Sequence, residues 1–299
     1  MRMTIPFITC GGMFWWFDRY QYAGWRIQEN IWTHRCRLLD SHDVRRFSGT
    51  FEACSDKLPE FLKIWEEPKP NGETVVFIQG LFQTPGSFDD MKTAFYDKGY
   101  EAVSFSYPQL RSDLEGAAKK LNAALKRRKD IKRLHFIVHG VGGLVLRKAL
   151  MMKPEWQSVL GRVVMISAPN KGFSWAGKWS EKKWYKFLLG KMGSNITPEF
   201  VSKNVSEMSG DFAVLMSGKD NGKGYLPFMG EDNDGILKVS EAFVKNAKED
   251  FLTLGVPHFF LQKKEKTIEM CLFFIGNGRL GKGKRIRRES NLMSKFYDR

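Results

Sequence analysis

The sequence has 299 residues, of which 42% are hydrophobic and 27% charged, and its formal net charge is +15. This length allows one large α/β domain or two small ones with a sizeable core. Because no apolar run reaches the ~20 residues that a membrane-spanning helix needs, we expect a soluble protein. The charge indicates attraction to nucleic acid, an acidic lipid surface or an acidic protein, although a lysine-rich solvated surface explains it more simply.

The cysteines do not indicate a metal site. Cys10, Cys36, Cys54 and Cys271 are scattered without C-x-x-C spacing. Neither a zinc site nor a disulfide framework is therefore predicted, and one bridge among the three N-terminal cysteines stays open. No metal or other cofactor is expected.

Residues 1–67 form an aromatic-rich accessory segment. Its basic start is followed by a short apolar stretch with two glycines and then by Phe14-Trp15-Trp16-Phe17. This start fits a poor signal peptide or an interfacial anchor, because tryptophan and phenylalanine suit a membrane surface. It also fits an arm packed on the domain, which we favour because no A-x-A-like cleavage site follows. Prolines and a glycine at 68–72 mark a linker.

Strands and helices alternate along residues 73–276, which we assign as the main domain. Continuous apolar runs predict strands buried on both faces, and amphipathic stripes predict helices between them. One helix is expected to begin with a capping box of Ser112 and Glu115. The predicted strands are 74–78, 102–107, 134–138, 163–166, 212–216 and 250–254, and the predicted helices are 87–98, one from 112, 142–152 and 265–274.

This alternation predicts a mostly parallel central sheet with helices on both faces. In such sheets a binding site lies at the carboxyl ends of the strands, where Gly80, Gly140 and residues 168–170 fall. An aromatic, lysine-rich insertion at 171–210 breaks the alternation and indicates a cap or lid, with an ordinary surface subdomain as the alternative. The basic tail at 277–299 is expected to be flexible.

The most informative stretch is Leu134-His135-Phe136-Ile137-Val138-His139-Gly140-Val141-Gly142-Gly143. A buried strand ends at Gly140 and a helix begins at once, which is the strand–turn–helix frame of a nucleophile elbow. Gly142 and Gly143 would let strand and helix approach closely, and His139 is expected to pack rather than react. Glycine has no nucleophilic side chain, so the frame is present and the reactive atom is missing.

Five landmarks follow one another in the main domain: Gln79-Gly80-Leu81, Val138-His139-Gly140-Val141-Gly142-Gly143, Ser167-Ala168-Pro169-Asn170-Lys171-Gly172, Asp232-Asn233-Asp234-Gly235 and Val256-Pro257-His258-Phe259. In this order they resemble the α/β-hydrolase superfamily, in particular its triacylglycerol-lipase- and esterase-like branch. Three residues depart from the family pattern. Gly140 replaces the elbow serine, Val138 the first glycine of that motif, and Gln79 the usual histidine after the first buried strand.

The resemblance implies a site in which Gly140 occupies the nucleophile position, Asp234 is the acid and His258 is the base. By family position, the backbone N–H groups of Leu81 and Val141 would form the oxyanion hole. The Asn-Asp-Gly turn favours Asp234 as the acid. The acids that compete with it are Glu231, Asp232 and Asp220.

Three functional hypotheses follow. The first is a pseudoenzyme of lipase or esterase ancestry that binds an acyl ester or lipid-like molecule without turning it over. The second is an active carboxylic-ester hydrolase, with water activated by His258 and Asp234 or with Gly140 introduced to silence a serine. The third is a basic binder of an anionic membrane or nucleic acid, which rests on the charges at 119–133 and in the tail.

The charged segment at 119–133 weighs little in favour of the third hypothesis. No nucleic-acid-binding module accompanies it, so nucleic acid is not an expected partner and a solvated helix face explains it better. An anionic membrane surface remains a candidate partner, with the protein bound peripherally through its N-terminal aromatic residues. The sequence leaves the oligomeric state open.

Overall fold

The N-terminal part of the chain forms a small antiparallel sheet with a helix packed on it. A computed structural model of the protein describes residues 13–66, 70–109 and 111–281. The basic, apolar start at 1–12, predicted as an arm, an anchor or a signal peptide, and residues 282–299 of the predicted tail lie outside the described part. The elements of this N-terminal unit (residues 13–66) are β1 (Trp16–Tyr22), β2 (Trp25–Asn30), β3 (Cys36–Leu39), β4 (Arg45–Gly49) and α1 (Phe51–Ile64). None of these strands was predicted from the sequence.

Apolar side chains between β1–β4 and α1 form a separate small core. Trp25 stacks on Phe61 with ring centroids 5.5 Å apart. Cys36 and Cys54 are buried in this core as free thiols, and Cys271 in the main domain is also a free thiol. The bridge that the sequence left open therefore does not join Cys36 to Cys54.

Buried charged groups attach the N-terminal unit to the rest of the chain. Asp18 is 1% exposed and accepts a hydrogen bond from the Ser106 N–H at 2.6 Å. Arg128, also buried, donates to the backbone oxygen of Gln21 at 2.9 Å and to the carboxylate of Glu101 at 2.6 Å. Because a buried charge is costly unless it is paired, these contacts fix the position of β1 on the main domain.

Part of the basic helix face contacts the N-terminal unit, which corrects the prediction that this face is solvated. The Lys120 ammonium lies 3.9 Å from the centroid of the Phe17 ring, and the Arg127 guanidinium lies 4.3 Å from that of Phe51. Arg128 is buried. Cations placed over aromatic faces gain electrostatic attraction, so these charges help to hold the two parts together.

A parallel sheet carries the main domain. Within the described residues, six strands form it in the order β10-β9-β8-β7-β5-β6, and each neighbouring pair is parallel. This confirms the predicted α/β fold class. The strands are β5 (Glu73–Ile78), β6 (Glu101–Phe105), β7 (Arg133–His139), β8 (Leu160–Ile166), β9 (Phe212–Gly218) and β10 (Glu249–Leu254).

Helices cover both faces of this sheet. In β5, Val76 and Ile78 belong to the core formed with the helices at 114–126 and 142–151, whereas Val75 and Phe77 belong to the core formed with the helices at 89–96 and 265–277. Successive side chains of a strand point to opposite faces, which explains why these strands read as continuous apolar runs. The helices are α2 (Asp89–Tyr96), α3 (Leu114–Lys126), α4 (Gly142–Met151), α5 (Ser174–Trp179), α6 (Lys183–Asn195), α7 (Pro198–Asn204), α8 (Val239–Ala242) and α9 (Glu265–Asn277).

The start of α3 differs from the prediction. The carboxylate of Asp113 caps this helix by accepting a hydrogen bond from the Gly116 N–H at 2.7 Å. The predicted capping box of Ser112 and Glu115 is therefore wrong, and the Ser112 hydroxyl donates to the backbone oxygen of Asp113 instead. A carboxylate is favoured over a hydroxyl here because the helix N-terminus attracts negative charge.

The segment at 171–210 is a helical insertion between β8 and β9. It contains α5, α6 and α7, and Gly190 with a φ of 57° kinks α6. Large apolar side chains of α6 face solvent: Trp184 is 54% and Phe187 is 83% exposed. Among the described helices, none combines the length and the apolar character needed to cross a membrane.

Candidate active site

Loops at the carboxyl edge of the main sheet bring the predicted site residues together. Leu81 follows β5, Gly140 and Val141 follow β7, Asp234 lies between β9 and β10, and His258 follows β10. Because parallel strands end at the same edge, segments that are far apart in the chain meet there. The predicted site residues therefore meet at the carboxyl edge of the parallel sheet.

The turn at Gly140 has the sharp geometry of an elbow. Its φ is +51°, a left-handed conformation that costs an L-residue roughly 1–2 kcal/mol. Its N–H donates to the backbone oxygen of Ile166 at 3.0 Å, and the Gly143 N–H donates to the Gly140 oxygen at 3.1 Å. These bonds tie the turn to β8 and to the start of α4.

Gly142 and Gly143 allow the close approach of strand and helix that the sequence predicted. A Cβ atom on Gly142 would lie 2.4 Å from the backbone oxygen of Ile78, and one on Gly143 would lie 2.7 Å from the Cβ of Ala168. Both distances are shorter than non-bonded carbon and oxygen atoms tolerate. Any side chain at either position would therefore push α4 away from the sheet.

We expect Gly142→Ala to lower the free energy of unfolding by about 2 kcal/mol or more, because the added methyl group overpacks the contact with β5. Gly177→Ala is the matched control, since no described atom lies within 4 Å of a Cβ there and the residue is in α5. That change should stabilise the protein by up to about 1 kcal/mol. Urea unfolding measures both, and equal effects would contradict the close contact of α4 with β5.

The space beside Gly140 is open toward His258. Among the described residues, the atoms within 4 Å of a Cβ at Gly140 would be the Cα of Gly80 at 3.5 Å and Nε2 of His258 at 3.6 Å. These are ordinary contact distances. A serine side chain would fit at this position, and its hydroxyl would lie beside the imidazole.

His258 and Asp234 form a buried hydrogen-bonded pair, 5% and 0% exposed. The Nδ1–H of His258 donates to Oδ2 of Asp234 at 2.7 Å. The other carboxylate oxygen accepts from the N–H groups of Ile236 and Leu237 at 3.0 and 2.8 Å. Because an ionised carboxylate only accepts, it keeps the imidazole proton on Nδ1 and leaves the Nε2 lone pair on the side of Gly140.

The acids that compete with Asp234 have other partners. Asp232 is buried and accepts hydrogen bonds from backbone N–H groups of its own loop, among them that of Asp220 at 2.8 Å. The carboxylate of Glu231 accepts a hydrogen bond from the Ser240 hydroxyl, and Asp220 is exposed. Of these four carboxylates, the structure brings that of Asp234 to the imidazole of His258.

Two backbone N–H groups in the loops after β5 and β7 have no partner among the described residues. The N–H groups on either side of Leu81 donate to the side-chain oxygens of Gln83 and Gln109, at 3.1 and 2.7 Å. The N–H groups of Leu81 itself and of Val141 donate no hydrogen bond to another described residue. Such fixed, unpaired donors can bind a carbonyl or an oxyanion.

His139 makes a contact with His258 that the sequence did not predict. It is fully buried, with its ring centroid 4.6 Å from that of His258. Its Nε2–H donates to the backbone oxygen of His258 at 3.1 Å. Burial, and after it the neighbouring imidazole, lower the pKa of His139 far below its usual value, so the ring is neutral at pH 7. The sequence signal for this contact was that His139 lies directly before Gly140, at the predicted elbow.

One exposed aromatic side chain packs against His258, and two more lie in the loops that carry the predicted site residues. Phe259 is 40% exposed, and its ring centroid lies 5.2 Å from that of His258. Phe82, which follows Leu81, is 40% exposed and Phe260 is 55% exposed. Exposed apolar groups beside a few polar ones are typical of a site for a partly apolar ligand.

The arrangement can bind a carbonyl oxygen and accept a proton, but it offers no side-chain nucleophile at position 140. The binding groups are two unpaired N–H donors, and the proton acceptor is an imidazole oriented by a carboxylate. In the described part of the chain, no group of three or more His, Cys, Asp or Glu side chains is placed to hold a metal ion.

Solved lipase structures share this fold. The mature form of Bacillus licheniformis lipase BlEst2 is 20% identical and matches with a TM-score of 0.55, over 71% of this chain and 94% of that one. Its propeptide form is 19% identical with a TM-score of 0.54, over 76% of this chain and 53% of that one. Aspergillus fumigatus lipase B is 13% identical with a TM-score of 0.50, over 77% of this chain and 57% of that one.

These similarities establish the fold and nothing finer. The chain shares the α/β fold of these lipases, and it spans little more than half the length of the second and third of these structures. It matches no protein-family model and no curated protein sequence.

Proposed function

We propose that this chain, which has the fold of lipases and esterases, binds an acyl ester or lipid-like ligand without turning it over. The observation that carries the proposal is the open space at Gly140, where a Cβ would lie 3.6 Å from Nε2 of His258. The position that a nucleophile would fill lies beside an oriented base and holds no side chain. The groups that would bind the ligand are present, and the group that would attack it is absent.

In the proposed complex, the carbonyl oxygen of the ligand accepts hydrogen bonds from the N–H groups of Leu81 and Val141. The apolar chain of the ligand packs on the exposed rings of Phe259, which contacts His258, and of Phe82, which directly follows Leu81. Asp234 keeps the imidazole of His258 in place. These contacts need no chemistry at position 140.

Turnover is expected to be very low because water would have to attack the ester directly. In a triad hydrolase of another fold, loss of the serine lowers kcat by about 10⁶, and binding together with the oxyanion hole leaves ~10³–10⁴ over water. The pair of His258 and Asp234 has no hydroxyl to deprotonate in the parent chain. Binding without turnover therefore fits the geometry best.

We also propose that the insertion at 171–210 acts as a lid. The indole N–H of Trp175 donates to the backbone oxygen of Ile236 at 2.7 Å, and the Ile236 N–H donates to the Asp234 carboxylate. The insertion thus contacts the loop that holds the acid. The exposed side chains of Trp184 and Phe187 suit a lipid surface.

Calorimetric titration with 2-tridecanone, a ketone that keeps the carbonyl group but has no ester bond to hydrolyse, tests ligand binding. We expect the parent chain to bind it and Phe82→Ser with Phe259→Ser to weaken binding by about tenfold or more, since burying a phenylalanine contributes about 1.5–3 kcal/mol. Ile64→Ser is the matched control, because Ile64 is 64% exposed and lies in α1.

Two outcomes would contradict this proposal. The proposal fails if Ile64→Ser weakens binding of the ketone as much as the double variant does, or if the parent chain does not bind the ketone at all. The intact pair of His258 and Asp234 favours one other function, hydrolysis with water as the nucleophile. Turnover of p-nitrophenyl butyrate by the parent chain that is lost in His258→Ala would support that function instead.

A further inference from the structure

A cavity of about 650 Å³ opens in the N-terminal unit, away from Gly140. The residues that line it lie between positions 16 and 48, so it is separate from the site described above. Four arginines, Arg35, Arg37, Arg45 and Arg46, belong to this lining. Among the described residues that line it there is no carboxylate. We call it the arginine cavity.

Two of the four arginines are held in place. The Nε and Nη2 groups of Arg37 donate to the side-chain oxygen of Gln28 at 3.0 and 2.7 Å, and its guanidinium lies 4.1 Å from the centroid of the Trp16 ring. Arg46 donates to the Asp40 carboxylate at 2.7 Å. Neither group has to lose much side-chain freedom when it binds a ligand, because both are already oriented.

The other two arginines have no partner of their own. In the described residues, the side chains of Arg35 and Arg45 make no hydrogen bond or ion pair, and both are exposed. Burial, and after it the positive charges of Arg26 and Arg45, lower the pKa of Arg37 to about 10. Arg37 is still charged at pH 7, so an anion placed among these groups would relieve their repulsion.

We propose that the arginine cavity binds a ligand that carries two phosphate monoester groups. Asp40 compensates one of the four positive charges, which leaves three. A phosphate monoester carries about −1.5 to −2 at pH 7, so two such groups match that charge. The planar guanidinium groups match phosphate oxygens in pairs.

The rest of the lining fits the carbon part and the hydroxyl groups of such a ligand. Trp16 and Phe47 give it aromatic walls, and Ser48 offers a hydroxyl. The volume falls within the ~300–1,000 Å³ that small-molecule sites occupy. The chemistry is the same whether the phosphates belong to a soluble metabolite or to the headgroup of a phosphoinositide, and it does not depend on the function proposed for the Gly140 site.

Two probes with one headgroup separate these sources. The first is soluble glycerophosphoinositol 4,5-bisphosphate, which keeps the two phosphate monoesters, titrated calorimetrically into the full chain. The second is a phosphatidylcholine vesicle with phosphatidylinositol 4,5-bisphosphate, used in sedimentation. Binding of both supports a phosphate site open to either source, binding of the soluble probe alone supports a metabolite, and binding of the vesicle alone supports a lipid headgroup. Binding of neither probe overturns the proposal.

Charge-matched variants show whether the cavity is responsible. We expect Arg35→Gln with Arg45→Gln to weaken binding by about 100-fold, since each lost charged hydrogen bond is worth about tenfold or more. Arg133→Gln with Arg279→Gln removes the same charge from two exposed arginines outside the cavity and should cost less than about threefold.

Two further results would overturn the assignment. Equal weakening in both double variants would mean that the probe responds to net charge and not to the cavity. Equal binding to phosphatidylglycerol vesicles of matched total charge would mean the same, because their phosphodiesters carry a single charge each. Circular dichroism of each variant establishes that the fold is retained before affinities are compared.

Discussion

Gly140→Ser is expected to make the chain reactive toward a fluorophosphonate probe and to raise the hydrolysis of p-nitrophenyl butyrate on the order of 10³-fold or more. The serine Cβ would lie 3.6 Å from Nε2 of His258, so its hydroxyl would be within reach of the base. The left-handed φ at this position costs roughly 1–2 kcal/mol of stability, which the folded chain can tolerate. Labelling is read by gel fluorescence and turnover by absorbance.

Two control variants assign the effect to the predicted site. Gly140→Ala adds the same Cβ without a hydroxyl and should stay unlabelled and inactive. Adding His258→Ala to Gly140→Ser should remove most of the gained turnover, because the hydroxyl then has no base. A folded Gly140→Ser variant that is neither labelled nor active would show that the oxyanion donors or the substrate pocket do not function.

Arg128→Ala is expected to lower the free energy of unfolding by about 3–5 kcal/mol. The Arg128 side chain is 1% exposed and pairs with Glu101 and Asp130, and it also donates to the backbone oxygen of Gln21. Its removal would leave the 5%-exposed carboxylate of Glu101 buried without its cation. The loss should appear in urea unfolding as a lower midpoint.

Arg127→Ala, one residue away, is the matched control for this change. Arg127 is exposed, and its guanidinium contacts the ring of Phe51. Its removal should cost no more than about 1 kcal/mol. Similar losses for the two variants would contradict a special role of the buried pair, and a loss below about 1 kcal/mol for Arg128→Ala would show that Glu101 is readily rehydrated.

The main sheet and the elbow could be predicted because their signals are local. Strands buried on both faces read as apolar runs, and the turn at Gly140 is marked by the glycines that follow it. The strands of the N-terminal unit gave no such signal. In β2, Arg26, Gln28 and Glu29 are buried beside the apolar Trp25 and Ile27, so polar partners from elsewhere in the chain replace the usual alternation.

The order of the elbow, the acid and the histidine along the chain could be predicted from the sequence, but the contacts between them could not. The sequence predicted Asp234 and His258 as a pair, and it favoured Asp234 over Asp232 only through the Asn-Asp-Gly turn, since both acids lie in one loop. That choice depends on which carboxylate reaches Nδ1 of His258. The contact of His139 with the backbone of His258 depends on tertiary packing, and its one sequence signal is the position of His139 directly before Gly140. The arginine cavity also depends on tertiary packing, and the sequence analysis did not predict it.

The attachment of the N-terminal unit has a consequence for self-association. The Asp18 N–H donates to the backbone oxygen of Ser106 at 3.1 Å, and the Gln21 side chain donates to that of Ser104 in β6, the outermost strand on this side of the main sheet. A bare strand edge is a template on which further chains can pair and aggregate. The N-terminal unit thus covers the edge strand β6. A chain shortened to the main domain would expose this edge, and other copies of the chain could then pair with it.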